Sequence, residues 1–339
     1  MSQTSRTDAL TATDAWFLRN GLSYFVPERR AAVRRALQPR RLVPFVAVTV
    51  LVAAAAGIGL ALFAESRSLA PSVMLTVAIV AALWYGLTAL NARPIVTWAL
   101  SQTFGSLRVL LPMMSRALPL LLLFITFLFI NAEVWQVTSR QDGGELWLVA
   151  LLFSVLAVAF LFVRLPEEVD RTDDHVDDAF LLEACAGTPL EQSCRELVED
   201  PESDPAAYAQ VTGYEFGNLV LVLVVIQVVQ VLLLAVTVFL FFLVFGGLIM
   251  TNDVVESWIG EGPHAWRYLP NLTVELVQVS IFLAAFSGLY LTVSTVTDET
   301  YRAQFFSRLQ QQMERAVGVR AVYLALRDRE GRTSGPAPS

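Results

Sequence analysis

From Asn218 to Met250 the chain runs for 33 residues without an acidic or basic side chain. Such a segment prefers surroundings with no water, so its backbone N–H and C=O groups must be satisfied within the segment, and an α-helix does this. As one helix the run would measure ~50 Å against a hydrocarbon core of ~30 Å. It must therefore tilt, protrude or break. Only Gln227, Gln230 and Thr237 interrupt the aliphatic pattern before Gly246 and Gly247, so a hairpin within the run has no turn to use. One long helix is expected, with its Tyr214 end projecting toward the cytoplasm or packing on a neighbouring subunit.

Five more runs are long enough to cross a bilayer: Leu42 to Ala64, Ala70 to Leu90, Leu118 to Val137, Leu146 to Leu165 and Thr273 to Val296. With 55% hydrophobic and 16% charged residues among 339, and a mean hydropathy of +0.56, the chain does not fit a soluble protein. The expected class is all-α, a polytopic membrane protein with six transmembrane helices and amphipathic interfacial and cytoplasmic helices. Five regions follow. Residues 1–41 form a basic, amphipathic N-terminal segment, and 42–165 hold four spans with an interfacial helix at 91–117. Residues 166–217 form an acidic loop, 218–296 hold two spans with an outer loop at 251–272, and 297–339 form a C-terminal helix and a disordered tail.

Sidedness comes from charge. All 24 basic residues are arginine, and with the N-terminus inside only Arg67, Arg140 and Arg267 fall in outer loops. Cytoplasmic loops accumulate positive charge, so both termini are placed in the cytoplasm and the chain in the cell's inner membrane. Were 91–117 a seventh span, the C-terminal arginines would face outward. The first apolar run is too long for the core of a cleavable signal, so no leader is expected to be removed.

The polar segments carry their own expectations. Trp16, Phe17, Leu22, Tyr24 and Phe25, followed by a basic run, suit the inner membrane surface, with aromatics in the interface and arginines among anionic headgroups; a partly disordered tail is the alternative. Trp84, Tyr85, Trp135, Trp147, Trp258, Trp266 and Tyr268 are placed as interfacial belts. The loop from Glu167 to Asp204 holds 14 acidic residues, with short helices expected around Asp177 to Cys185 and Pro189 to Glu199. Its two cysteines, Cys185 and Cys194, are expected to stay reduced. After the last span, Leu309, Ala316 and Tyr323 recur every seven residues, as do Gln312, Val319 and Leu326, which makes a short heptad seam.

Ionisable and polar groups within spans mark functional sites in membranes. Glu133 with Asn131 on the third span and Glu275 with Gln278 on the sixth lie toward the outer side and would form a cation site if they share a cavity; otherwise each reaches headgroups or a neighbouring helix. Gln227 and Gln230 share a face of the fifth span and either line a water-filled path or join helices by hydrogen bonds. The run Thr172 to Asp178 clusters oxygen ligands around His175 but lacks the glycine and terminal glutamate of a calcium loop, and a solvated acidic segment is the preferred reading. His264 stands alone in the outer loop. No metal site and no cofactor are expected. The signatures of metalloproteases, serine hydrolases, phosphate loops and dithiol oxidoreductases are missing, and no enzyme is expected.

Three function classes are left. The first is an oligomeric, channel-like pore for small inorganic ions, cations in particular, since acidic outer loops would concentrate them. The second is a membrane-anchored scaffold or sensor that presents the acidic loop and the C-terminal helix to a protein partner. The third is an ion-coupled transporter. Membrane lipids and further copies of the chain are the expected partners, and nucleic acid is not among them.

Overall fold

The computed structural model describes residues 3–64, 67–105, 121–170, 176–266, 269–297 and 299–333. Fourteen α-helices lie among them: α1 (Gln3–Arg19), α2 (Pro27–Ala36), α3 (Pro39–Ala64), α4 (Leu69–Thr88), α5 (Arg93–Gly105), α6 (Leu121–Phe129), α7 (Ala132–Ser139), α8 (Gly143–Asp170), α9 (Asp178–Cys185), α10 (Glu191–Val198), α11 (Gly213–Ile249), α12 (Asn252–Ile259), α13 (Val274–Thr297) and α14 (Glu299–Thr333). A two-stranded antiparallel hairpin, β1 (Ala265–Trp266) and β2 (Leu269–Thr273), joins α12 to α13. Five helices are long and apolar enough to cross a membrane: α3, α4, α8, α11 and α13.

The third expected span is not one rod. Its described part bends by 69° between α6 and α7. The cause lies in Asn131, which leaves the helical region at φ −94°, ψ 116° and caps α7 by accepting the Glu133 backbone N–H at 2.8 Å. Trp135 then folds back, its Nε1–H donating to Phe129 O at 2.6 Å, which closes the bend. Counted as one broken span, this pair brings the number to six. The expected interfacial helix at 91–117 corresponds to α5 as far as Gly105, and its remainder lies outside the described residues.

The long fifth run is one helix of 37 residues, as its sequence requires. It organises the molecule. Its second half packs with α6, α7, α12 and α13 in an apolar cluster in which Phe129, Trp135, Phe242 and Val238 are fully buried. Phe129 stacks on Phe242 at 4.8 Å. Around its first half a second cluster gathers α1, α2, α5, α9, α10, α14 and the last turns of α8. The two ends of the chain and the acidic loop thus build one packed module around the start of α11.

The two clusters correct three expectations. The N-terminal aromatics Phe17, Tyr24 and Phe25 are buried against protein rather than spread in a membrane interface, and Phe17 meets Tyr323 edge-on at 5.4 Å. Trp135, placed in an interfacial belt by its sequence position, is a core residue. The heptad residues Ala316, Val319, Tyr323 and Leu326 are covered by the chain's own α1, α9 and α10, so those four positions are not available to a second copy; Gln312 is exposed, and the Leu309 side chain lies outside those described. In α14, Gly318 allows this approach, since a Cβ there would stand 2.5 Å from the Ala184 methyl and 3.1 Å from the Phe180 ring.

The α3–α4 hairpin lies to one side, against α8. Leu51, Leu62, Phe63, Leu83 and Trp84 are all more than 60% exposed on it. So broad an apolar surface is stable against lipid and not against water.

Candidate functional site

The module's polar centre is Glu215, in the first turn of α11 and 3% exposed. Arg320 of α14 reaches it with Nε and Nη2, both 2.6 Å from Oε2, and Arg30 of α2 places Nη2 2.7 Å from Oε1. Arg320 Nη1–H also donates to the carbonyls of Tyr208 and Gln210 at 2.7 and 3.1 Å. A carboxylate so far from water is stable only when charge and hydrogen bonds both compensate it, and here guanidiniums from opposite ends of the chain do so. One turn on, fully buried Asn218 accepts the Tyr24 N–H at 2.8 Å and donates to Gly21 O at 2.9 Å. Tyr24 OH donates to Leu90 O at 2.8 Å, and burial pushes that phenol up to about 12.

Other polar contacts fasten the acidic loop to α14. Arg315 donates to the carbonyls of Ala184 and Ala186, Tyr208 OH donates to Asp328, and Arg329 pairs with Asp200. The carboxyl of Asp200 is held below its ordinary value by the Glu202 N–H and by Arg329. Cys185 and Cys194 are buried between α9 and α10 as free thiols, and a hydrogen bond with Cys194 together with burial pushes the Cys185 thiol up, away from the reactive thiolate. The acidic run around His175 falls mainly outside the described residues; among those described, no group of three or more His, Cys, Asp or Glu side chains could hold a metal.

Between α1, α5, α11 and α14 the module leaves a half-open cavity of about 180 Å³, with Trp16, Trp98, Asn20, Gln102, Gln312 and Arg315 among its walls. Between two of its wall residues, Asn20 and Leu22, Gly21 takes a φ of +72° and brings the chain so close to Trp98 that a Cβ would stand 3.1 Å from that side chain.

At the far end of the long helices, Glu275 and His264 pin the hairpin to α13. Both carboxylate oxygens of buried Glu275 accept the His264 backbone N–H at 3.1 to 3.2 Å, and Oε1 lies 2.8 Å from His264 Nδ1. The carboxylate raises the His264 pKa above its ordinary value. Gln278 Nε2 donates to Gln141 O at 3.1 Å and ties α13 to the turn between α7 and α8.

The residues expected to share a path lie on three elements, at the start of α7, in α11 and at the start of α13. Glu133 is exposed in the first turn of α7 and Asn131 is its cap, so neither sits within a straight span. Glu275 and Gln278 are occupied by the hairpin and by the α7–α8 turn. Gln227 is buried in α11 beside the module, and Gln230 buries an Oε1 that has no hydrogen-bond partner among the described residues. Glu215, Asn218 and Arg320 were not singled out by sequence. The available signal was the acid and the amide three residues apart, on one face at the start of the longest apolar run.

No protein-family model, no curated protein and no solved structure matches this chain. Fold and site therefore define its class by themselves: an all-helical protein with several long apolar helices and a polar-centred module assembled at the base of the longest.

Proposed function

We propose that the protein is a membrane-anchored scaffold or sensor whose working part is this module, held on the cytoplasmic face by a six-span anchor counting α6–α7 as one broken span. The single observation behind the reading is the Glu215 cluster. It joins both ends of the chain to the same helix that runs on to the hairpin end, so a change at either end of α11 has a mechanical route to the other. The arginine distribution supports the cytoplasmic placement of the module, with 21 of 24 on that side. Its cavity, walled by indoles, carboxamides and one guanidinium together with the apolar side chains of Leu22, Leu219, Val222, Met313 and Ala316, suits a ligand the size of a single ring and favours the sensor form.

The pore reading has less support. Its six residues fall in pairs on three elements and four of them are engaged, by the hairpin, the α7–α8 turn, a helix cap and a contact made by Gln227 in α11. Two measurements on the full-length protein decide between the readings. In proteoliposomes, no flux of K⁺, Na⁺, H⁺ or Cl⁻ above protein-free vesicles is expected at any imposed voltage. In cells, crosslinking from the exposed faces of α9 and α14 should capture a defined protein partner, and Glu215→Gln should abolish the capture. Flux that falls with Glu275→Gln or Gln230→Ala would overturn the scaffold reading in favour of a pore.

A further inference from the structure

Where α2, the start of α3 and the end of α4 meet, a cleft of about 330 Å³ is lined by Ala32, Arg35, Ala36, Arg41, Tyr85 and Ala89. Two of the six are guanidiniums and none is a carboxylate. Among the described residues neither arginine has an acidic partner; Arg35 only turns its Nε toward Ala31 O at 3.4 Å. The cleft is held open by Tyr85, whose hydroxyl donates to Ala36 O at 2.7 Å and whose ring stacks on Phe45 at 4.4 Å. Phe45 also stacks on Trp84 at 6.4 Å, and Trp84, Val43 and Val46 continue the aromatic shelf as exposed apolar surface along α3 and α4. Positive charge without counter-charge therefore opens directly onto apolar surface, at the level where both candidate spans end.

We infer that this cleft is a binding site for one anionic glycerophospholipid of the inner leaflet. Its phosphate sits between Arg35 and Arg41, and its acyl chains lie along Phe45, Trp84 and the α3–α4 face. Guanidiniums match phosphate in geometry and charge, and basic pockets between spans on the cytoplasmic side hold such headgroups. A free phosphate would use the arginines but not the shelf, whereas a zwitterionic lipid would bring a cation against them. The inference rests on the reading of α3 and α4 as membrane spans.

Native mass spectrometry of the full-length protein in detergent tests it, with dioleoylphosphatidylglycerol, dioleoylphosphatidylcholine and inorganic phosphate as probes. One phosphatidylglycerol per chain should be retained in preference to phosphatidylcholine, and millimolar phosphate should not displace it. The double variant Arg35→Gln/Arg41→Gln should weaken retention roughly tenfold or more, at about a tenfold for each 1.4 kcal/mol. The charge-matched control Arg6→Gln/Arg19→Gln should leave it unchanged, with unaltered melting of both variants in lipid-free detergent. Equal retention of the two lipids, equal loss in the control, or displacement by phosphate would each overturn the site. Release of the protein from membranes by alkaline carbonate would instead overturn the span reading on which the site depends.

Discussion

Two guanidiniums, one from near each end of the chain, meet on the Glu215 carboxylate, and removing it strands Arg320, whose side chain is only 8% exposed. Glu215→Gln is expected to destabilise the module by roughly 3–5 kcal/mol, the usual cost of breaking a buried ion pair by deleting one partner. Arg30→Gln should cost less, because that side chain is 32% exposed and water replaces part of its interaction. Thermal unfolding followed by circular dichroism in detergent orders the two. At Gly21 the left-handed φ of +72° and the Trp98 contact add, so Gly21→Ala should cost at least about 1 kcal/mol and change Trp98 fluorescence. His264 gives a pH effect of definite sign. Its folded-state pKa is raised first by the hydrogen bond with Glu275, so the added hold on the hairpin is complete below the unfolded value near 6.5 and is lost as pH rises through the folded value. Corrected for the base-catalysed rise in intrinsic exchange, protection of residues 264–273 should therefore fall on alkalinisation through that window in the wild type, and His264→Ala should show no such step.

Helices differed in how plainly the sequence announces them. α11 is legible because 33 uncharged residues leave no other solution, and α9 and α10 are legible because Asp177 caps the first, while apolar positions recur at helical spacing in both. The α6–α7 bend was hidden because hydropathy sums over side chains and does not register one Asn that takes its own backbone out of the helix. With the cap removed, Asn131→Leu should straighten the break and withdraw Trp135 from Phe129, which its fluorescence would report. α1 and the turn that follows it show a different limit. An aromatic amphipathic stretch satisfies a membrane surface and a protein core equally well, and only the positions of α14 and α11 decide that Phe17 and Phe25 are enclosed by protein. In the cluster around the second half of α11, Phe242 is fully buried against Phe129, so Phe242→Ala should cost about 3–5 kcal/mol and should loosen the hairpin end before the module.

On the scale of the molecule, the segments flanking the apolar helices were legible as polar but not as partners of one another. Residues 30 and 320 meet through the Glu215 carboxylate between them, and 14 and 323 hydrogen-bond directly; each pair is about 300 positions apart, and no local pattern encodes such a pairing. The buried carboxylate at the start of α11 was a quiet signal, since an acidic loop just upstream makes one more glutamate look ordinary. The central claim is that the N-terminal helices, the acidic loop and the C-terminal helix fold as one cooperative unit on the base of α11. Hydrogen–deuterium exchange on the full-length protein in nanodiscs measures this directly. Amides of α1, α9, α10 and α14 should be protected in the wild type and should lose protection together in Glu215→Gln, while α13 stays protected. Free exchange of α1 in the wild type, or loss of protection in α14 alone in the variant, would contradict it.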